Sequence, residues 1–315
     1  GLRTKNTAAV TIAGSIIVML ILVLGTIWMG QNARKDNEKA VRSVSLLYLD
    51  ELAGRREQVV AENLNDRISD MQTALDIMTE DDLKDTAHRQ EYQIKMKALF
   101  ALEKFAFVDD SGRIYTSVGE QDDIDEYSFN HMSITDAEIS IKNLESTDKK
   151  VIIAMPVDLM SEGKHFVACF MEIDMAEMLS GVSMKTQEGG ATFCNIYTDN
   201  GTALSNTVLG GLAEEDNLLD ALQNASFEDD YSYDDFLKSF QSGERGVVSF
   251  SYNGIRETLS FVPVEGTNWL LTYLIQESVI SDQIGSISNG IIRRSIIQSV
   301  LTVVILLGIF SFLII

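Results

Sequence analysis

FVDDSGRIYTS, residues 107–117, is matched later in the chain by IYTDNGTALSN, residues 196–206. In both stretches an apolar run ends in an aspartate, any residue and a glycine, and a second extended segment follows. Because glycine and asparagine tolerate the positive φ that tight hairpin turns need, each stretch predicts a strand-turn-strand hairpin. One hairpin of this kind is ordinary, but a second copy predicts that the chain contains the same β-rich unit twice.

The two prolines of the chain support this duplication. Pro156 lies in VIIAMPVDL and Pro263 in ETLSFVPVEG, and each is followed by a polar turn and a strong strand that leads into a helical pattern. Proline lacks the backbone N–H donor, so within a sheet it is confined to edges, ends and bulges. Both copies therefore have the same order of hairpin, strand with Pro-Val, turn and final strand.

The strand patterns predict an α+β fold with two antiparallel sheets of about five strands each, with helices on one face. Strands of the first sheet are expected near 103–109, 113–118, 138–143, 150–157 and 165–173. Those of the second are expected near 191–198, 202–206, 246–252, 256–264 and 268–275, with a hairpin turn at Asn253-Gly254. In each copy an insert of helix and loop, residues 121–137 and 210–240, separates the hairpin from the last three strands.

Two long apolar stretches predict membrane-spanning helices. Residues 8–29 and 295–315 each run for more than twenty residues without a charge, enough to cross a hydrocarbon core of about 30 Å. Arg3 and Lys5 place the stub 1–7 in the cytoplasm, which predicts a multi-pass protein of the plasma membrane with residues 31–294 extracytoplasmic. An uncleaved signal peptide is the alternative for the first stretch. Arg293 and Arg294 favour the opposite orientation, which stays open.

Residues 31–80 predict one long helix. This segment has no proline, and its apolar residues recur mostly at steps of three or four. Fifty helical residues extend about 75 Å, which is too long to be buried along its whole length in one small domain. We therefore expect part of the helix to form a stalk or to pair with the same helix of a second chain. A helix broken near Gly54 is the alternative.

Charge and residue types exclude several classes of function. Residues 31–294 contain all 47 Asp and Glu against 23 of the 25 Lys and Arg, a net charge of −24 that repels nucleic acid. The sequence has no calcium-loop motif, no metal-ligand spacing among its three histidines, no nucleophile with a base and no phosphate-binding glycine loop. No catalytic residue, metal or cofactor is therefore predicted. Cys169 and Cys194 lie in apolar runs and are predicted to be free thiols, with a disulfide as the alternative.

These elements together resemble the double Cache, or tandem PAS-like, sensor domains of bacterial transmembrane receptors. The resemblance is carried by FVDDSGRIYTS, by VIIAMPVDL with FVACFMEID, and especially by RGVVSFSYNGIRETLSFVPVEGTNWLLTYLIQESVI, and it covers roughly residues 31–315. It implies a first, membrane-distal module at 81–183, a second, membrane-proximal module at 184–282 and a juxtamembrane helix at 283–294.

The resemblance implies that a small molecule binds chiefly in the first module, between its sheet and its insert. The residues expected to line this cleft are Tyr115, Ser117, Tyr127, Phe129, His131, Met155, Asp158 and Cys169. Amino-acid-binding members carry an Arg-x-Trp-Tyr run in the insert and a later aspartate for the ligand amine. Here DEYSFNHM, residues 125–132, has neither the Arg nor the Trp, which weighs against an α-amino acid. Asp158 lies where the amine-pairing aspartate would lie, or else it forms a turn.

The resemblance also implies the function of an extracytoplasmic sensor region. Such a region is not an enzyme; it passes a conformational signal through the second span to a cytoplasmic output domain. A histidine kinase or diguanylate cyclase is the favoured output, and a chemoreceptor signalling region is the alternative. The stalk and transmembrane helices are expected to form a homodimer. The rival functions are a membrane-anchored structural or assembly protein without a pocket, and an ectoenzyme, for which the sequence shows no catalytic constellation.

Overall fold

The computed structural model describes residues 2–180, 182, 192–205 and 217–314. Its first helix, α1, spans Leu2–Asp76 as one uninterrupted element of 75 residues. The helix continues through Gly54, so the alternative of a break there is wrong, and it ends at Asp76 rather than near residue 80. The internal contacts of the chain separate residues 49–275 from a helical pair formed by the segments before residue 49 and after residue 275.

Within residues 49–275, α1 contacts both β-rich modules. Its buried residues recur at helical spacing, as expected for one face laid against a core: Leu49, Ala53, Val60, Leu64 and Met71. Arg67 Nη1 donates to the carbonyl oxygen of Phe100 at 2.8 Å, and Arg56 Nε donates to the Tyr273 hydroxyl at 3.2 Å. One helix therefore forms a common spine for the two modules.

The first module contains a second helix and a six-stranded antiparallel sheet. Helix α2 spans Thr86–Phe100, and the Asp85 side chain caps it by accepting from the His88 backbone N–H at 2.9 Å. The strands are β1 Lys104–Asp109, β2 Ile114–Thr116, β3 Gly119–Gln121, β4 Glu138–Lys142, β5 Lys150–Ser161 and β6 Lys164–Asp174, in the order β3-β2-β1-β6-β5-β4. The prediction of five strands missed β3, which pairs with β2 through a turn closed by Thr116 and Gly119.

The second module contains a five-stranded antiparallel sheet, preceded in the chain by the short helix α3, Met175–Met178. Its elements are β7 Thr192–Thr198, α4 Leu218–Gln223, β8 Ser226–Phe227, α5 Tyr233–Gln241, β9 Gly246–Tyr252, β10 Ile255–Pro263 and β11 Trp269–Gln276, with strand order β7-β11-β10-β9-β8. The predicted strand at 202–206 is wrong for the residues described, because Thr202 and Ala203 form only isolated bridges. Residues 191, 206 and 210–216 and the boundary at 183/184 lie outside the described residues.

The two predicted hairpin turns have the same hydrogen-bond pattern. Gly112 and Gly201 have φ of +87° and +84°, and their N–H groups donate to the carbonyl oxygens of Asp109 and Thr198 at 2.9 and 2.8 Å. The prolines also lie where a missing donor is tolerated. Pro156 is at a register shift in β5, and Pro263 is the last residue of β10.

Among the residues that the structure describes, each module contains a hydrophobic cluster of its own. One contains Phe170 with residues of β1, β5 and the first insert, and the other contains Phe261 with residues of the second sheet, α4 and α5. The described residues therefore confirm two sheets with their own cores in a mixed α+β fold.

Helix α6, Glu277–Ile314, begins directly after β11. Two segments of the helices are long and apolar enough to cross a membrane by length and composition, Ala9–Asp36 in α1 and Asn289–Ile309 in α6. They overlap the predicted spans at 8–29 and 295–315.

Candidate functional site

The insert of the first module packs on one face of the first sheet, here termed the insert face. Small residues shape this face, because Phe170 of β6 lies in register between Ala106 of β1 and Ala154 of β5. A ring flanked by two alanines leaves space above the neighbouring strands for side chains from another element. The insert fills that space, and a single turn of 3₁₀ helix, Ile124–Glu126, leads into the residues that do so.

Three aromatic rings occupy the space between insert and sheet. The Tyr127 ring centroid lies 4.7 Å from that of Phe170 and 5.8 Å from that of Phe129, and Phe129 lies 5.4 Å from Phe170. Tyr127 and Phe129 are 7% and 4% exposed. Aromatic packing therefore fixes the insert against the sheet.

A polar cluster surrounds the Tyr127 hydroxyl at one end of the insert face. The hydroxyl donates to Glu172 Oε2 at 3.0 Å and accepts from Lys104 Nζ at 3.0 Å and Lys142 Nζ at 3.2 Å. We refer to these four residues as the Tyr127 cluster. One donated and two accepted bonds use the full capacity of a hydroxyl. Burial and the neighbouring Glu172 carboxylate raise the pKa of Tyr127 above its ordinary value, so the hydroxyl stays protonated.

The sheet register and the insert bring the Tyr127 cluster together. Lys104 of β1 lies directly opposite Glu172 of β6, and their charged groups are 3.6 Å apart. Lys142 comes from β4 at the edge of the sheet and also pairs with Glu126 at 3.0 Å. Because these charges are largely buried, removing one partner leaves an uncompensated charge, which is strongly unfavourable.

Three of the predicted site residues lie on the opposite face, which packs on α2 and is here termed the helix face. Tyr115, Met155 and Cys169 are on this side: Phe107 pairs in register with Tyr115 and with Cys169, which also pairs with Met155. Arg89 of α2 lies 5.3 Å from the Tyr115 ring. Burial raises the pKa of the Cys169 thiol well above its ordinary value. Cys169 and Cys194 are both buried thiols that form no disulfide with each other, as predicted.

The other predicted site residues are at the periphery of the sheet. Ser117 follows β2, and the His131 ring lies beside the Gly112 turn, where a Cβ on the glycine would be 3.3 Å from Cε1. The Asp158 side chain is 93% exposed and its Oδ1 is 2.8 Å from His165 Nε2. Of the eight predicted residues, the structure brings Tyr127 and Phe129 together between the insert backbone and the sheet. Contact of any of them with a ligand stays a prediction.

Sequence reasoning missed Lys104, Lys142 and Glu172. The available signal was a charged residue within or at the end of a largely apolar strand, as in KFAFVD, EISIK and KHFVACFMEID. Within the ranges described, no group of three or more His, Cys, Asp or Glu side chains is placed to hold a metal ion.

Solved structures with a similar fold are sensory domains. The sensory domain of the Campylobacter jejuni chemoreceptor Tlp3, solved with isoleucine bound, aligns with a TM-score of 0.51 at 10% identity, covering 77% of this chain and 97% of that one. The ligand-binding domain of Mlp24 with asparagine aligns with a TM-score of 0.51 at 12% identity, covering 79% and 98%. An extracellular domain named as that of a histidine kinase, rpHK1S-Z16, aligns with a TM-score of 0.54 at 13% identity, covering 76% and 97%.

The chain has the fold of these sensory domains. The resemblance to Cache sensor domains is thereby confirmed at the level of the fold. Searches of known families and of curated proteins match no family and no protein. At 10–13% identity the likeness extends to architecture and not to individual ligand-binding side chains.

Proposed function

We propose that the chain is the extracytoplasmic sensor region of a membrane receptor and that a small molecule binds beneath the insert of the first module. The observation that carries the proposal is the fold, which chemoreceptor and histidine kinase sensory domains share. Two features of the helices support it. Helix α1 continues from an apolar stretch of membrane-spanning length into the spine of the two modules, and α6 follows the last strand without a loop.

In this proposal the region has no catalysis of its own and acts by changing conformation. The apolar segment of α6 would carry the signal to a cytoplasmic output domain, for which a histidine kinase or diguanylate cyclase is favoured and a chemoreceptor signalling region is the alternative. A ligand shifts such an equilibrium only by its difference in affinity for the two states, typically about 1–3 kcal/mol.

The Tyr127 cluster supplies the element that a ligand would bias. It joins the insert, through Tyr127, to three strands of the sheet, through Lys104, Lys142 and Glu172. A ligand that enters beneath the insert competes with these bonds and with the contacts of the Phe129 ring. We therefore propose that the insert is closed without ligand and rearranges when ligand binds.

A thermal-shift screen tests this proposal. The full chain in detergent micelles would be screened against amino acids, which similar domains bind, and against carboxylates, amines and sugars. A ligand that raises the melting temperature of the wild type should raise that of Tyr127→Phe by more, because the hydroxyl no longer competes with the ligand by linking Lys104, Lys142 and Glu172.

Asp158→Ala is the matched control. The Asp158 side chain is exposed, and its partner is His165 rather than a residue of the Tyr127 cluster. The control should keep the wild-type shift. An equal shift in wild type and Tyr127→Phe would place the ligand elsewhere, and loss of the shift in Asp158→Ala alone would move the site to the β5–β6 hairpin.

A further inference from the structure

The helical pair contains a close contact between α1 and α6 at the level of the apolar segments. A Cβ on Gly30 would lie 2.6 Å from Ile292 Cγ1, so the glycine lets the two helices approach. Four residues earlier in α1, Thr26 Oγ1 lies 3.4 Å from Ser299 Oγ of α6. This contact uses one side of α6 and leaves the adjacent side uncovered by α1.

A groove of about 550 Å³ runs beside this contact. On α6 it is lined by Ile292 and Ser299, which lie against α1, and by a stripe of residues at alternating steps of four and three: Ile291, Ser295, Gln298 and Thr302. This spacing is the repeat by which one helix presents a continuous seam to another. Ser295 and Thr302 are small, which permits close approach of a second helix on both sides of Gln298.

Gln298 is the unusual residue of the stripe. It is exposed and is the tenth of the 21 residues in the apolar segment Asn289–Ile309. The hydroxyls nearby bond within their own helix: Ser299 donates to the Ser295 carbonyl oxygen at 2.9 Å and Thr302 to that of Gln298 at 2.8 Å. A glutamine side chain has two donors and one acceptor, and in hydrocarbon an amide without a partner is costly. Its place in the groove therefore calls for a polar partner from outside this chain.

We propose that this partner is Gln298 of a second copy of the chain. Both copies enter the membrane in the same direction, so their α6 helices run parallel and a two-fold axis brings identical residues face to face. An amide both donates and accepts, so two glutamines satisfy each other reciprocally. A single polar residue in such a seam also fixes its register. The inference rests on the proposed function in one respect, that α6 spans a membrane.

Single cysteines on α6 test which face pairs. Cys169 and Cys194 are buried, so the wild type provides the background. Ile305, seven residues after Gln298, and Val304, about 100° away around the helix, are 53% and 59% exposed. In the full chain reconstituted in phosphatidylcholine vesicles, oxidation should cross-link Ile305→Cys into dimers and leave Val304→Cys largely monomeric. Equal cross-linking of both, or of Val304→Cys alone, would overturn the proposal.

Variants that remove or move the Gln298 amide show whether cross-linking depends on the amide or only on the closeness of the two α6 helices. Gln298→Leu in the Ile305→Cys background should lower dimer formation by about threefold to thirtyfold, the range that corresponds to hydrogen bonds between membrane helices. Gln298→Leu with Ile297→Gln turns the amide by about 100° around α6, so cross-linking should transfer to Val304→Cys. If Ile305→Cys cross-links to the same extent with Gln298 present, removed or moved to position 297, the proposal is overturned.

Alkaline carbonate extraction of the same vesicles distinguishes failure of the Gln298 inference alone from failure of the proposed function. If the chain resists extraction but Ile305→Cys does not cross-link, the second copy is not the partner of Gln298 and the sensor proposal stands. If carbonate releases the chain, neither of the two apolar segments spans the membrane, and the inference fails together with the membrane part of the proposed function.

Discussion

Asp109 organises the first hairpin turn with both oxygens of its carboxylate. Oδ1 accepts from the N–H groups of Ser111 and Arg113 at 2.9 and 3.0 Å and from the Ser111 hydroxyl at 2.6 Å. Oδ2 accepts from the Tyr115 hydroxyl at 2.8 Å. Burial alone would raise the pKa of Asp109, but these hydrogen bonds outweigh it and hold the pKa below the ordinary value of 3.8. The charged form of the side chain therefore stabilises the folded state.

Asp109→Asn should destabilise the first module in a pH-dependent way. An amide replaces one acceptor oxygen by a donor, so we expect the free energy of unfolding at pH 7 to fall by about 1–3 kcal/mol. Because the folded-state pKa is lowered, the contribution of Asp109 is fully present above pH 3.8 and is lost as pH falls through the folded-state pKa. The difference between variant and wild type in urea unfolding should therefore narrow in acid.

Asp110→Asn is the control for this experiment, since Asp110 is exposed. Its backbone N–H donates to the His165 carbonyl oxygen, a bond that the substitution keeps. It should unfold like the wild type at both pH values. A constant difference between Asp109→Asn and wild type down to pH 2.5 would show that the charge of Asp109 contributes nothing.

At the residue scale, the sequence predicted part of the candidate site. Tyr127 and Phe129 were predicted because they lie in the insert, and the rings of both pack against the sheet. Lys104 and Glu172 were missed because a charged residue in a strand is usually solvated, and their burial depends on partners far away in sequence. Successive side chains of a strand point to opposite faces of the sheet, and this alternation puts Tyr115 and Cys169 on the same face. The sequence alone does not tell which of the two faces the insert covers.

At the scale of elements, the β9–β10 pair depends on a residue without a side chain. Gly246 lies opposite Phe261 in register, and a Cβ there would be 2.5 Å from Phe261 Cζ. The Phe261 ring cannot move away freely, because the rings of Phe236 and Phe240 of α5 each lie 5.5 Å from it. Gly246→Ala should therefore lower the free energy of unfolding by about 1–3 kcal/mol, measured by chemical denaturation.

A second substitution checks that the cause is steric. Phe261→Leu removes the ring atoms that would meet the new methyl group, so Gly246→Ala should be less destabilising in the Phe261→Leu background than in wild type. If the two changes have additive effects on the free energy of unfolding, the side chains do not interact, and glycine at position 246 is needed for the backbone conformation of β9 rather than to make room for the Phe261 ring.

The elements were predicted best where the chain is locally constrained. Local backbone preferences of glycine, asparagine and proline were enough to predict the two Asp-x-Gly turns, the Asn253-Gly254 turn and both proline positions. In the Asn253-Gly254 turn the two φ angles are +50° and +78°. The strand predicted at 202–206 failed because Thr202 bridges to Asn217, the N-cap of α4, and this contact is not local in sequence. Strand β3 was missed because three residues are too few to show a period.

At the scale of the whole molecule, the predicted orientation makes a direct test available. Val118, between β2 and β3, is 86% exposed, and the native cysteines are buried. If residues 31–294 are extracytoplasmic, Val118→Cys in intact cells should react with a membrane-impermeant maleimide, while the wild type stays unlabelled. Thr4→Cys, in the stub predicted to be cytoplasmic, should react only after permeabilisation.

The pair of variants distinguishes the two orientations that the basic residues leave open. Arg3 and Lys5 predict labelling at Val118→Cys from outside, whereas Arg293 and Arg294 favour the reverse pattern, with Thr4→Cys reactive in intact cells and Val118→Cys reactive only after permeabilisation. The reverse pattern would contradict the proposed extracytoplasmic sensor. Labelling of Thr4→Cys and Val118→Cys from the same side would mean that the first apolar stretch does not cross the membrane, since the two residues lie on opposite sides of it in the sequence.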